Sequence, residues 1–249
     1  VTRTLSGAAR RLGPAVGLSR HSALPELRRR VGPTSRSFAV RAASLAGGST
    51  LIGSAVAMLV QADLGLPPYD VLSSGLSDRI GLSLGQAGWV VAAALLVVAT
   101  LLGRRPGPWG VAYIVGNGLA IDATAHLLNR PDSIPGRVGF LVVAILVMAA
   151  GVNLVLYSGT TGGPFELLML AGEDRGVSRI ATRYVLDGGV LALGLVLGGA
   201  FGLGTVIYAA LMGLALEGVS QVFADHRSGR HQRLAGRNGD DGPFTLPSG

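Results

Sequence analysis

The chain has 249 residues, a formal net charge of +7 and only 14% charged residues. Soluble domains carry about 25%, so this composition argues against an ordinary water-solvated globule and for a chain whose main solvent is lipid. There are no cysteines, which excludes disulfides, thiolate metal sites and thiol catalysis.

The first 42 residues hold nine arginines and one acid, Glu26. All 21 basic residues of the chain are arginine, a bias expected of a GC-rich bacterial genome. Basic segments beside apolar spans follow the rule that places positive charge on the cytoplasmic side. The tail 1–42 is therefore expected to be disordered, cytoplasmic and attracted to anionic lipid headgroups. Nucleic acid is not an expected partner.

A spanning helix needs about 20 mostly apolar residues. Six segments meet this length: 43–62, 84–102, 108–128, 138–158, 181–199 and 201–223. The fifth carries Arg183 and Asp187, four apart and able to pair on one helical face. Two further segments are too short and polar to span. They read GLPPYDVLSSGLSDRIG at 65–81 and GGPFELLMLAGEDRG at 162–176. Each holds a proline, an aromatic and an acid in sequence: Pro68-Tyr69-Asp70 and Pro164-Phe165-Glu166. Proline suits the first turn of a helix, and an acid there meets the positive end of the helix dipole. Both segments are expected to be short helices starting at Pro68 and Pro164, either re-entrant or interfacial. The polar stretch 224–249 is expected to be a second disordered cytoplasmic tail.

The chain repeats itself. GPWGVAYIVGNGLAID at 107–122 is echoed by GLGTVIYAALMGLALE at 202–217, with glycines, tyrosines and a terminal acid at matching places. The offset is 96 at Pro68/Pro164 and 95 from Gly81/Gly176 onward. Internal duplication points to a repeated structural unit. The expected fold is an all-α membrane protein of six transmembrane helices, built as repeat 1 (43–128) and repeat 2 (138–223). Three spans per repeat is an odd number, so the second repeat would enter the membrane inverted. The arginines orient the whole: both termini, Arg104, Arg105, Arg175 and Arg179 inside, and Arg79, Arg130 and Arg137 outside. That places the protein in the bacterial plasma membrane.

With GLPPYD, GLSLG at 81–85, GLAID at 118–122 and GLGT at 202–205, the sequence resembles the YczE/YyaS/YitT family of bacterial integral membrane proteins. The resemblance covers roughly residues 45–223. It implies a polytopic membrane protein and no particular substrate. The first repeat departs from the Gly-x-Gly-Thr pattern, reading Gly107-Pro-Trp-Gly110.

A carboxylate within a span is costly, about 2.5 kcal/mol or more. Acids recur at repeat-equivalent places as Asp70/Glu166 and Asp122/Glu217. These four, with Asn117, Tyr113 and Tyr208, are the candidates for a substrate or ion path. A structural reading stands beside it: Asp70 and Glu166 as caps of their own helices, Asp122 and Glu217 as interfacial groups. With four histidines and no cysteine, no metal site is expected. No phosphate loop, dinucleotide fingerprint or HExxH occurs, and neither a cofactor nor an enzymatic activity is expected. The favoured function is a secondary transporter or permease for a small solute, with its path between inverted repeats. The alternative is a non-transporting membrane scaffold or accessory protein for a partner enzyme or complex. The oligomeric state is left open.

Overall fold

A computed structural model describes residues 37–160 and 163–237, with side chains to residue 220. The tails 1–36 and 238–249, for which disorder was expected, lie outside the described residues. Among the described residues there are eight helices and no strand. They are α1 Phe38–Ala62, α2 Pro68–Ile80, α3 Leu84–Leu101, α4 Pro108–Leu127, α5 Ile134–Ser158, α6 Pro164–Glu173, α7 Arg179–Val196 and α8 Leu203–Arg237.

The repeat in the sequence is a repeat of helix boundaries. α1 and α5 start 96 residues apart, as do α2 and α6; the starts of α3/α7 and α4/α8 are 95 apart. Ser37 and Ser133 cap α1 and α5, each accepting from a backbone N–H three residues on. Ser83 and Ser178 do the same for α3 and α7. A serine oxygen here satisfies one of the N–H groups a helix start leaves over. α2 and α6 begin at Pro68 and Pro164, as expected. The left-handed turns also recur, at Gly81/Gly176 and Gly103/Gly198. Glycine meets the positive φ of these turns without a Cβ penalty.

Three boundaries differ from the sequence expectation by four residues or more, among them the start of α5, which lies at Ile134 after the Ser133 cap and not at 138. α1 begins at Phe38, not 43, because Ser37 supplies the cap and Phe38 packs on Trp109 at 5.1 Å. α8 continues to Arg237, past the expected end at 223; no proline follows Pro164 until Pro243 to stop it. The parts of both tails at 38–42 and 224–237 are thus helical.

α1, α3, α5 and the Leu203–Ser220 part of α8 are long and apolar enough to cross a membrane by length and composition. The expected spans at 108–128 and 181–199 are helices too, but more polar. α7 carries Arg179, Arg183 and Asp187, and α4 carries Asn117, Asp122 and His126. Large apolar side chains point outward along these helices, including Leu101, Leu146, Val196 and Leu214. Such a surface suits lipid contact.

The packing follows an exchange. α1 lies along α5 and α4, and α5 also carries α8. α2 packs on its own α3 and on α7; α6 packs on its own α7 and on α3. Each short helix is thus held by the other repeat. The α1–α5 contact is close because it uses small residues: a Cβ on Gly151 would stand 3.0 Å from the Gly48 carbonyl. The exchange fails at one place. α3 packs on α4, whereas α7 and α8 make no comparable contact.

Candidate functional site

Both prolines and both acids of the short helices converge. Pro68, Asp70, Pro164 and Glu166 line one cavity of about 350 Å³. Neither helix start has a side-chain cap: Pro67 and Gly163 occupy those positions and offer no oxygen. Repeat-equivalent rings touch there, Tyr69 against Phe165 at 5.7 Å, nearly edge to face. Such a pair is favourable beyond the area it buries. Tyr69 is fixed by its hydroxyl, which donates to the Gly88 carbonyl at 2.7 Å.

Asp70 is 6% exposed. Among the described residues no hydrogen-bond donor or cation meets its carboxylate. Asn117, on α4, lines the same cavity, and its side-chain oxygen is buried without a hydrogen-bond partner. Tyr113 and Tyr208 complete the set, the latter's hydroxyl lying 2.8 Å from the Met148 sulfur. Five of the seven residues expected to form a path therefore share one cavity, with both prolines.

Asp122 and Glu217 do not line it. Asp122 accepts from the Ser83 hydroxyl at 2.6 Å and the Gly85 amide at 2.9 Å. It ties the start of α3 to α4, as an acid at a helix start should. Glu217 is exposed on α8. It has no counterpart to those two bonds, since α8 stands off α7.

The model of a family of unknown function, DUF6198, matches residues 39–221. The chain belongs to that family. The match runs from the second residue of α1 through α7 and the apolar part of α8. Relatives include an uncharacterized protein of Haemophilus influenzae, 28% identical over 176 residues, which is 70% of this chain and 81% of the relative. The uncharacterized protein YyaS of Bacillus subtilis is 22% identical over 191 residues, 75% of this chain and 95% of the relative. The uncharacterized membrane protein YczE of the same organism is 28% identical over 158 residues, 62% and 73% of the two lengths. The resemblance drawn from the motifs holds for both of these names. No solved structure matches.

The cavity has lining residues that the sequence reading did not select: Tyr69, Trp89, Phe165 and Arg183. The two aromatics beside the acids were legible, because Tyr69 and Phe165 recur inside the repeated Pro-aromatic-acid triad. Trp89 carried a weaker signal. Its equivalent, 95 residues on, is another aromatic, Tyr184. Arg183 donates to Asp187 at 2.7 Å, the pairing their spacing suggested, and also lies over the Phe165 ring at 5.3 Å. Nothing in the spacing announced that second contact.

Outside the cavity, arginines clamp the short helices to the opposite repeat. Arg79, ending α2, donates to the carbonyls of Val196 and Leu197 that end α7. Arg175, just beyond α6, donates to the Leu102 carbonyl that ends α3. A guanidinium suits the negative end of a helix, where carbonyls lack partners. Arg104 pairs with Asp174 at 2.5 and 2.7 Å. At another pole Asp63 takes Arg130 at 2.5 Å and Arg137 at 3.6 Å.

Proposed function

We propose that the protein is a secondary transporter or permease of the bacterial plasma membrane. In this reading six spans form two inverted repeats, both termini are cytoplasmic, and a small solute passes between the repeats. The observation that carries it is the meeting of two repeat-equivalent, proline-started, uncapped short helices at one cavity, with Asp70 and Glu166 in their first turns. Interrupted helices that meet at a repeat interface are how such proteins build a solute site inside a membrane. The polar contacts support the inversion. Arg104 to Asp174 joins two ends assigned to the cytoplasm, and Arg79 to Leu197 and Arg130 to Asp63 join ends assigned outside. No contact among these joins opposite sides. The name of YczE, a membrane protein, agrees with the location.

The inversion is tested by single-cysteine labelling, which needs no background removal because the chain has no cysteine. Ile80 and Val177 are exposed, each beside the turn that follows a short helix. In intact cells a membrane-impermeant maleimide should label Ile80→Cys and spare Val177→Cys until the cells are permeabilised. Labelling of both in intact cells sinks the inverted arrangement, and the transporter reading with it.

A further inference from the structure

We infer that the cavity takes a small solute bearing a primary ammonium or guanidinium group, held by Asp70 and Asn117 between aromatic walls. The inference deepens the transporter reading and rests on it for the solute's passage, though not for its binding. Its basis is an imbalance of hydrogen-bonding groups. Buried polar groups in folded proteins almost always have partners. Here the Asn117 side-chain oxygen is buried on the cavity without a partner, and Asp70, a residue 6% exposed on the same cavity, has no side-chain hydrogen bond or ion pair among the described residues. Both oxygens accept, so a donor in the cavity would satisfy them. A carboxylate further asks for positive charge, since a lone buried ion is strongly disfavoured.

The walls fit the same chemistry. Tyr69, Trp89, Tyr113 and Phe165 line the same cavity as the acceptors. Ring faces attract ammonium and guanidinium groups within about 6 Å. The cavity already shows this once: the Arg183 guanidinium lies 5.3 Å over Phe165. That charge is balanced by Asp187 at 2.7 Å and leaves Asp70 unanswered. The helix starts favour anions in general. Each of these two, however, carries its own acid in the first turn, Asp70 or Glu166, so an anionic solute would face two carboxylates. A volume of about 350 Å³ lies at the low end of ligand sites, which suits a small solute.

The test uses the full chain, purified in detergent, with tryptophan fluorescence and thermal shift as readouts. The probes are n-butylamine and methylguanidine, with n-butanol and butyrate as matched neutral and anionic controls. Saturable binding of the two cations and neither control is expected. Asp70→Asn should weaken cation binding about tenfold or more, the effect of losing a charge-assisted bond of about 1.5–3 kcal/mol. Asn117→Ala should weaken it less, and Asp132→Asn, in the loop before α5, should leave it unchanged. The cation-against-control comparison needs only the native chain, so a poorly folding variant does not decide the matter. Equal binding of butanol or butyrate overturns the inference, as does absence of cation binding or full affinity in a folded Asp70→Asn protein. Exchange of labelled butylamine across proteoliposomes separates the two proposals. Binding that depends on Asp70 without exchange leaves the site standing and removes the transporter. Exchange of an anion that ignores Asp70 does the reverse.

Discussion

Gly118 and Gly213 occupy the same place in the two repeats and meet different surroundings. A Cβ on Gly118 would run into the Trp89 indole nitrogen and the Gly85 carbonyl, and one on Gly213 would meet nothing within 4 Å. Gly118→Ala should therefore cost about 1–3 kcal/mol, seen as a lower melting temperature in detergent. Gly213→Ala should be neutral or slightly stabilising, since alanine favours a helix. Equal effects would mean that α4 and α8 are equally packed, against the structure. The same contrast explains why the acids were only half legible. Recurrence in sequence marked Asp122 and Glu217 as equivalent, and they are equivalent by position. Their surroundings are not, because Asp122 has Ser83 and Gly85 within reach and Glu217 has no such pair. A repeat reveals where a residue sits along its helix, and says nothing of how closely the neighbouring helix approaches.

At the scale of elements, the starts of the two short helices were the most legible feature. Pro68 and Pro164 announce them chemically, and that signal depends only on local backbone geometry. What could not be read is that α2 and α6 trade places, each docking on the other repeat. That depends on contacts such as Gly194 against the backbone of Leu72, 122 residues apart. The arginine clamps that hold this docking were read only as topology signals. One of the neighbouring ion pairs has a pH consequence. Hydrogen bonding from Arg104 holds the Asp174 carboxyl below the usual carboxylate range. A folded-state value below the unfolded one means that the pair's contribution is present above the ordinary carboxylate pKa, about 3.9. It is lost as the pH falls through the lower, folded value. Hydrogen exchange in the 173–177 turn, corrected for intrinsic rate, should be flat from neutral pH to about 5 and rise only in stronger acid. Asp174→Asn should abolish that rise. A rise between pH 6 and 8 would assign the turn's stability to some other group.

For the whole molecule, the all-helical class and the doubled plan were legible because both are patterns of composition and recurrence. The cavity was legible in part. The sequence marked the residues of the two short helices, while Trp89 and Arg183 join them only through packing. The exchange of α2 and α6 also means that neither repeat encloses the site alone, since each contributes one helix start and one acid to it.

The uneven packing of α4 and α8 bears on energy. On the proposed reading, a molecule of two interchangeable halves would have a second conformation, the exchange image of the first, and perfect symmetry would give the two equal free energy. In the image α8 would close on α7 while α4 released α3. Release gives up the bond from Trp89 to the Ile114 carbonyl and those from Ser83 and Gly85 to Asp122. The opposite side offers an exposed Tyr184 and Glu217 to replace them. Spin-label distances between α3 and α4 should accordingly fall into a dominant short and a minor long population. A single short population under all solutes would refute an exchange between the two. On the proposed transporter reading, the two faces of the membrane would then be served unequally at rest, with one gate bolted until a solute supplies the free energy that draws the bolt.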